Sequence, residues 1–128
     1  MENITYADFK KLDIRIGEVV DAVVPEWSHW VMKLTVRFDE EIGERTIFAG
    51  IMHFFKPEDL IGQEFPFVVN MEPKKIGPEG DFSQGMMLAA DGKLDKPITV
   101  EGEEVTDKPV LFKLTEKVDP GTKVLWVI

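Results

Sequence analysis

Residues 14–24 read IRIGEVVDAVV, a run rich in β-branched side chains that is too long for one straight strand. Before Gly17 the apolar residues fall on even positions, and after it they fall on both parities. A glycine at such a change of phase marks a bulge or a sharp bend in a strand that serves two sheets. The stretch therefore predicts a long β-strand with a bulge or a sharp bend at Gly17.

The clearest strand follows at residues 31–38, where apolar and polar side chains alternate. Further strands are predicted at residues 45–49, 65–70, 86–90, 98–101, 110–114 and 124–128, with a Gly/Pro-rich loop at 73–85. Two short helices are predicted. The first covers residues 5–12 and begins with a capping box of Thr5 and Asp8; the second lies within residues 56–62, with Pro57 at its first position and Gly62 after its end. This pattern indicates an all-β protein with short helices, a small β-barrel forming a single domain over residues 1–128.

The chain has 128 residues, no cysteine, and 15 Lys+Arg against 24 Asp+Glu, which gives a formal net charge of −9. Without cysteine, disulfides, zinc–thiolate sites and thiol nucleophiles are excluded. No apolar run approaches the roughly 18–20 residues that cross a bilayer, and the first residues carry no secretory signal, so we expect a cytoplasmic protein without a membrane partner. The acidic balance argues against indiscriminate nucleic-acid binding but is compatible with a local basic surface.

The sequence contains no pattern that points to a catalytic or metal site. His29 and His53 lack the spacing and the neighbouring ligands of a zinc site, and neither Ser28 nor Ser83 lies in a G-x-S-x-G elbow. We therefore expect no enzymatic activity, no metal and no cofactor. The remaining basic and polar side chains suit a nucleic-acid-binding face, but the pattern alone favours an ordinary solvated barrel exterior.

Several stretches resemble the tRNA-binding domain family in order and approximate spacing. Residues 8–17 (DFKKLDIRIG) are similar to its D-F-x-K-x-D-x-R-x-G, residues 45–51 (RTIFAGI) to its R-x-I-x-S/A-G-I, residues 57–62 (PEDLIG) to its P-E-x-L-x-G, residues 70–76 (NMEPKKI) to its N-L-x-P-x-K and residues 83–90 (SQGMMLAA) to its S-x-G-M-x-L-A-A. Residues 111–124, with a DPGT turn, also resemble the family's closing segment.

The resemblance implies an OB-fold, a five-stranded β-barrel with N-terminal and C-terminal extensions. Such domains occur alone, in CsaA-like chaperones, or appended to aminoacyl-tRNA synthetases such as the methionyl enzymes. The resemblance further implies non-catalytic binding of structured RNA, above all tRNA, by a stand-alone homodimer. The side chains expected to bind RNA are basic, polar or, in one case, a methionine: Lys33, Arg45, Asn70, Lys74, Lys75, Ser83 and Met86.

Each of these side chains has an expected role. Lys33 and Arg45 would neutralise phosphates, while Asn70 and Ser83 would form hydrogen bonds and Met86 would meet a base or support the loop. Arg15 and Gly17 also match a family motif, and we expect them to fix the first strand rather than contact RNA.

The chain also departs from the family pattern. Residues 25–30 read PEWSHW where the family usually carries a basic P-x-A-D-K-L, Glu72 takes a position that is often lysine, and residues 77–82 carry two acids. Each lost cation removes a phosphate contact and weakens binding at physiological salt. Residues 94–108 resemble an insertion, either an extra hairpin or an altered dimer contact.

These departures support an alternative prediction. The chain is then a CsaA-like chaperone or protein-interaction module whose partner is an aminoacyl-tRNA synthetase or an unfolded protein. The surface expected to serve this function is aromatic and exposed, and consists of Trp27, Trp30, Phe54 and Phe55.

Overall fold

A computed structural model describes residues 1–127, which form nine strands and two short helices. In chain order the elements are α1 (Tyr6–Phe9), β1 (Ile14–Val23), β2 (Met32–Arg37), β3 (Glu44–Ala49), α2 (Pro57–Leu60), β4 (Glu64–Val68), β5 (Lys74–Ile76), β6 (Asp81–Ser83), β7 (Met86–Met87), β8 (Ala89–Val100) and β9 (Glu103–Leu111).

Five strands form one antiparallel sheet in the order β3-β2-β1-β4-β7. β1 belongs to both halves of this sheet, because residues 14–18 pair with β4 and residues 18–23 pair with β2. The sheet curls until the residues before β7 meet β3, where the Gln84 N–H donates to the Thr46 carbonyl at 2.8 Å. The result is a nearly closed five-stranded barrel, so the predicted all-β class and OB-type architecture are confirmed.

The barrel interior is filled by apolar side chains from each of its strands. On β2, Met32, Leu34 and Val36 are fully buried while the residues between them are only half-buried, as the alternation predicts. Phe38 and Phe67 meet edge to face in this core, with ring centroids 5.8 Å apart.

β1 bends as predicted, but its irregularity lies at a different residue. The register with β2 shifts between Val19 and Asp21, whereas Gly17 pairs regularly with Phe65 on β4. Of the two alternatives at Gly17 the bulge is therefore wrong, whereas β1 does pass from β4 to β2 at the next residue, Glu18. Glycine is needed there for packing, because a Cβ atom would lie 2.4 Å from Val36 Cγ1 and 2.7 Å from the Phe38 ring.

Both helices begin where the sequence predicts. The Asp8 N–H donates to Thr5 Oγ1 at 3.1 Å and the Thr5 N–H donates back to the Asp8 carboxylate at 3.4 Å, which forms the predicted capping box. α1 is shorter than the predicted 5–12, and α2 lies between Pro57 and a left-handed Gly62 with φ +85°. Within residues 1–127, neither helix has the length and apolar composition that spanning a membrane requires.

The predicted loop at residues 73–85 contains a small hairpin, which is a second correction. β5 and β6 pair in register, with Lys75 opposite Phe82 and Lys74 opposite Ser83. The turn between them contains Gly77 and Gly80, both at positive φ. The Gly/Pro-rich composition of this segment therefore reflects the turn of a hairpin rather than an irregular loop.

β8 and β9 form a long hairpin beside the barrel. It contains residues 98–100 of the strand predicted at 98–101 and only residues 110 and 111 of the strand predicted at 110–114, while the predicted strand at 86–90 is divided between β7 and β8. Residues 94–108 lie within a hairpin, as one of the two expectations for this segment states, but the hairpin is longer and runs from residue 89 to residue 111. Residues 94–97 of β8 form a wide bulge opposite Thr106, and the hairpin tip reaches the barrel, with Glu101 Oε1 3.5 Å from His29 Nε2.

The C-terminal segment runs beside the first half of β1 as irregular chain. The Ile16 N–H donates to the Thr122 carbonyl and the Val124 N–H donates to the Ile14 carbonyl, each at 2.8 Å. The strand predicted at 124–128 is absent over residues 124–127, and Ile128 lies outside the described residues.

Arg15 ties this segment to β1, as its expected structural role requires. Its side chain is buried, with Nε 2.6 Å from Asp13 Oδ1 and Nη1 3.2 Å from both Asp39 Oδ2 and the Gly121 carbonyl oxygen. The hydrogen bond to Asp13 raises the pKa of Arg15 above its ordinary value, against the lowering effect of burial. The guanidinium thus stays charged while it bridges the two ends of the chain.

Candidate nucleic-acid interface

Residues 81–87 contact or contain most of the side chains predicted to bind RNA. The Asp81 carboxylate lies 3.1 Å from Lys33 Nζ, and the Gln84 carbonyl accepts a hydrogen bond from Arg45 at 3.1 Å. Lys74 and Lys75 pair with residues 83 and 82, and Met86 belongs to the segment itself. The segment therefore organises the candidate site.

Arg45 lies at the mouth of the barrel. Its register partner on β2 is the buried Val36, and directly opposed side chains lie on the same face of a sheet. The Arg45 side chain therefore lies on the inner face, at the end of the barrel. Arg45 Nη1 donates to the Val69 carbonyl at 2.5 Å as well as to Gln84, which joins the end of β4 to residues 81–87. A cleft of about 520 Å³ opens here, lined by Ile42, Glu44, Arg45, Val69, Asn70, Met71, Glu72, Pro73 and Gln84.

Lys33 lies on the opposite face of the same ladder. Its register partner is Phe48, three residues from Arg45, and successive side chains of a strand point to opposite faces. The structure therefore does not bring Lys33 and Arg45 together on one face. Lys33 is also half-buried and paired with Asp81, so one of the two acids noted in the 77–82 loop neutralises it.

Ser83 and Asn70 have their polar groups engaged within the fold. The buried Ser83 hydroxyl accepts a hydrogen bond from the Phe48 N–H and donates to the Gly85 carbonyl, both at 3.0 Å. The Asn70 side chain accepts from the Asp13 N–H at 2.9 Å and donates to the Lys11 carbonyl at 2.6 Å. Both residues shape the site by holding its segments in place.

Lys74, Lys75 and Met86 are exposed and free to meet a ligand. Sequence reasoning missed two residues beside them, Gln84 at the Arg45 cleft and Phe82, which stands opposite Lys75 with half of its surface exposed. The signal that could have found Phe82 is the pair of glycines in the 77–80 turn, which is compatible with a hairpin.

The four aromatic residues of the alternative prediction do not form one exposed surface. Trp27 is half-buried, 6.1 Å from Phe48 between ring centroids, and its ring occupies the position that a Cβ on Gly77 would take. Trp30 is 39% exposed and contacts the Phe54 ring edge to face. Trp27 therefore supports the β5–β6 hairpin, and Trp30 and Phe54 lie together elsewhere.

A larger cleft of about 1070 Å³ separates this second region from the β8–β9 hairpin. Phe54 and Phe55 line one wall, and residues 108–111 of β9 line the other. Lys113 and Lys117 stand at the cleft together with Glu64 and Glu116, so its lining carries both signs of charge. Among residues 1–127, no cluster of three or more His, Asp or Glu side chains is arranged to hold a metal ion.

The chain is a member of the tRNA binding domain family, whose sequence profile matches residues 14–123. The methionine–tRNA ligase of Parabacteroides distasonis is 43% identical over 97 residues, which cover 73% of this chain and 14% of that enzyme. The methionine–tRNA ligase of Caldanaerobacter subterraneus is 34% identical over 124 residues, which cover 97% of this chain and 17% of the enzyme. The chain thus spans about one-seventh to one-sixth of the length of these ligases.

Solved structures of similar length resemble the whole chain. The MetRS-related protein of Pyrococcus horikoshii is 34% identical with a TM-score of 0.78, and the match covers 98% of this chain and 100% of that protein. The chaperone CsaA of Bacillus anthracis is 30% identical with a TM-score of 0.75, and the match covers 97% and 100%. These similarities extend beyond the barrel to both extensions.

Proposed function

We propose that this chain binds structured RNA, above all tRNA, without catalysing a reaction. The observation that carries the proposal is membership of the tRNA binding domain family over residues 14–123. Since tRNA is the proposed ligand, we expect the protein in the cytoplasm. The docking face is the exposed side of residues 74–86 together with the Arg45 cleft.

The charges of this face support electrostatic docking by a small number of contacts. The chain carries a net charge of −9, so a local cationic site must overcome a general repulsion of phosphates. Lys74 and Lys75 are exposed neighbours on β5 whose side chains leave opposite faces of the hairpin, whereas Lys33 is paired with Asp81. The two lysines of β5 are therefore the cations best placed to release counterions from an RNA backbone.

Replacing both lysines, Lys74→Ala and Lys75→Ala, is expected to weaken tRNA binding and reduce its salt dependence. Two lost phosphate contacts make the slope of log affinity against log salt shallower by about 1.8. The measurement is fluorescence anisotropy of labelled tRNA titrated with the protein at several KCl concentrations. Both side chains are exposed, so the variant is expected to melt like the wild type.

A matched control is the double variant Lys96→Ala and Lys108→Ala, which removes the same charge from exposed positions of the β8–β9 hairpin. It is expected to leave the slope unchanged. An equal change of slope in both variants would mean that net charge, rather than this face, governs binding. A wild-type protein that binds no tRNA even at low salt would overturn the proposed function.

We further propose that the protein is a homodimer assembled through its two chain ends. The rings of Tyr6 and Trp126 lie 4.6 Å apart and bring the two ends together. The exposed apolar side chains of these ends are here called the terminal patch: Ile4, Tyr6, Leu125, Trp126 and Val127. Each of these side chains is more than half exposed. An uncovered apolar patch of this kind is typical of an interface, and a second copy covers it by two-fold symmetry.

The double variant Tyr6→Ser and Trp126→Ser is expected to be monomeric, with a mass near 14.6 kDa instead of twice that value. The measurement is light scattering coupled to size-exclusion chromatography. Val110→Ser is the control, because Val110 is an exposed apolar residue of the β8–β9 hairpin. Dissociation by Val110→Ser alone would instead make that hairpin the dimer contact and overturn the terminal patch.

A second candidate function, binding of a protein partner such as a synthetase or an unfolded chain, is favoured by one surface. Trp30 is exposed, and the neighbouring cleft of about 1070 Å³ is walled by Phe54 and Phe55. Similarity to the chaperone CsaA supports the same candidate. If the wild-type protein binds no tRNA in the salt titration, that result favours binding of a protein partner. Salt-dependent binding of tRNA through residues 74 and 75 favours the first proposal.

A further inference from the structure

The two faces of the β5–β6 hairpin differ in what they contact. On one face Ser83 is buried against β3 and Asp81 is paired with Lys33, so this face lies on the barrel. Side chains alternate along a strand, so Lys75 and its partner Phe82 lie on the other face. The hairpin therefore presents a cation and an aromatic ring side by side to solvent.

The position of this pair is fixed by the contacts beneath it. The Lys33–Asp81 ion pair at 3.1 Å and the Ser83 hydrogen bond to the Phe48 N–H at 3.0 Å hold β6 on β3. The Trp27 ring supports the turn at Gly77 from below. A short two-stranded hairpin is only marginally stable alone, so these contacts are what make it a defined platform.

Phe82 leaves a large apolar ring accessible to a ligand. Its side chain is 50% exposed at the centre of β6, although an aromatic ring gains most from burial. Directly opposed residues of an antiparallel pair have Cβ atoms about 4.5–5.5 Å apart, which is short enough for one nucleotide to reach both Phe82 and Lys75.

We propose that Phe82 stacks on an unpaired base of the bound RNA while Lys75 holds an adjacent phosphate. This inference rests on the proposed function and specifies its ligand as an RNA with exposed single-stranded nucleotides. Bases within a duplex are already stacked on one another, so the ring can reach only an unpaired base. Stacking on a planar ring tolerates any base, so the contact recognises single-stranded character rather than sequence.

The test compares Phe82→Ala, Phe82→Leu and Phe82→Tyr on three RNA ligands that differ in their content of unpaired bases. The ligands are tRNA, a fully paired RNA duplex and a short unstructured RNA oligonucleotide. Phe82→Ala and Phe82→Leu are expected to weaken binding of tRNA and of the oligonucleotide roughly tenfold, because both remove the planar face. Phe82→Tyr keeps a planar ring and is expected to retain wild-type affinity.

Two further readouts separate stacking from charge and from misfolding. The slope of log affinity against log salt is expected to stay the same in Phe82→Ala and to become shallower by about one in Lys75→Ala. Affinity for the duplex is expected to be unchanged by all three substitutions at Phe82. The apolar Phe82→Leu variant keeps the bulk of the side chain, so its loss of affinity cannot arise from a collapsed hairpin.

The proposal is overturned if Phe82→Leu binds tRNA and the oligonucleotide as tightly as the wild type. It is also overturned if the duplex loses as much affinity as the single-stranded ligand does. If the wild type binds no tRNA, the proposed function fails, and the oligonucleotide then decides the inference separately. Binding of the oligonucleotide that depends on Phe82 would sustain it, and failure to bind either RNA would overturn it.

Discussion

Replacing Gly17 by alanine is expected to lower the free energy of unfolding by about 3 kcal/mol, which is the upper range for overpacking a core. The added Cβ would lie 2.4 Å from Val36 Cγ1 and 2.7 Å from the Phe38 ring. Val36 is fully buried and Phe38 packs edge to face on Phe67, so neither neighbour has space into which it can move. Urea unfolding followed by tryptophan fluorescence measures the change.

The matched test of this steric explanation is the double variant Gly17→Ala and Val36→Ala. Removing the Val36 methyl groups opens space for the new Cβ, so the double variant is expected to lose less stability than the sum of the two single changes. Strict additivity of the two losses would show that Gly17 is needed for some other reason, such as the bending of β1.

Replacing Arg15 by methionine is expected to cost about 3 kcal/mol of unfolding free energy. Breaking a buried ion pair by removing one partner typically costs 3–5 kcal/mol. The lower end applies because the Asp13 and Asp39 side chains are 35% and 37% exposed, and water recovers part of the loss. The variant also loses the bond to the Gly121 carbonyl, so amide exchange at Val124 is expected to accelerate.

Arg37→Met is the control for the Arg15 substitution. Arg37 also pairs with a carboxylate, Glu18, but its side chain is 54% exposed, so its loss is expected to cost less than about 1 kcal/mol. Arg15→Lys keeps the charge but not the planar fork and is expected to recover only part of the stability. Equal stability of Arg15→Met and Arg37→Met would contradict a bridging role for Arg15.

The sequence was most informative where local chemistry alone determines structure. The alternation of Met32, Leu34 and Val36 on β2 predicts a strand with one buried face, and this strand is present. The Thr5 and Asp8 capping box predicts the beginning of α1 for the same reason, since its hydrogen bonds join residues only three apart. The family motifs extend this local information to the whole barrel.

Features that depend on distant contacts were not predictable in this way. Ile47, Phe48 and Ala49 are all buried, because the β5–β6 hairpin covers the outer face of β3, so the strand shows no alternation from which to assign faces. The sequence therefore could not predict that Arg45 and Lys33 lie on opposite faces of the sheet. The role of Asn70 was hidden as well, since its side-chain partners lie 57 and 59 residues away along the chain.

The β8–β9 hairpin is a place where the chain can gain or lose residues without a change in the barrel. Its two strands pair with each other, and all their residues are exposed or half-buried. Its turn, Glu101 and Gly102, is already in the left-handed conformation that tight turns favour. Adding or removing one residue from each strand would therefore leave the barrel register intact, and doubling a loop costs only about 0.6 kcal/mol in closure entropy. The β8–β9 hairpin is the part of this molecule that evolution or an engineer can lengthen, shorten or tag while the barrel stays the same.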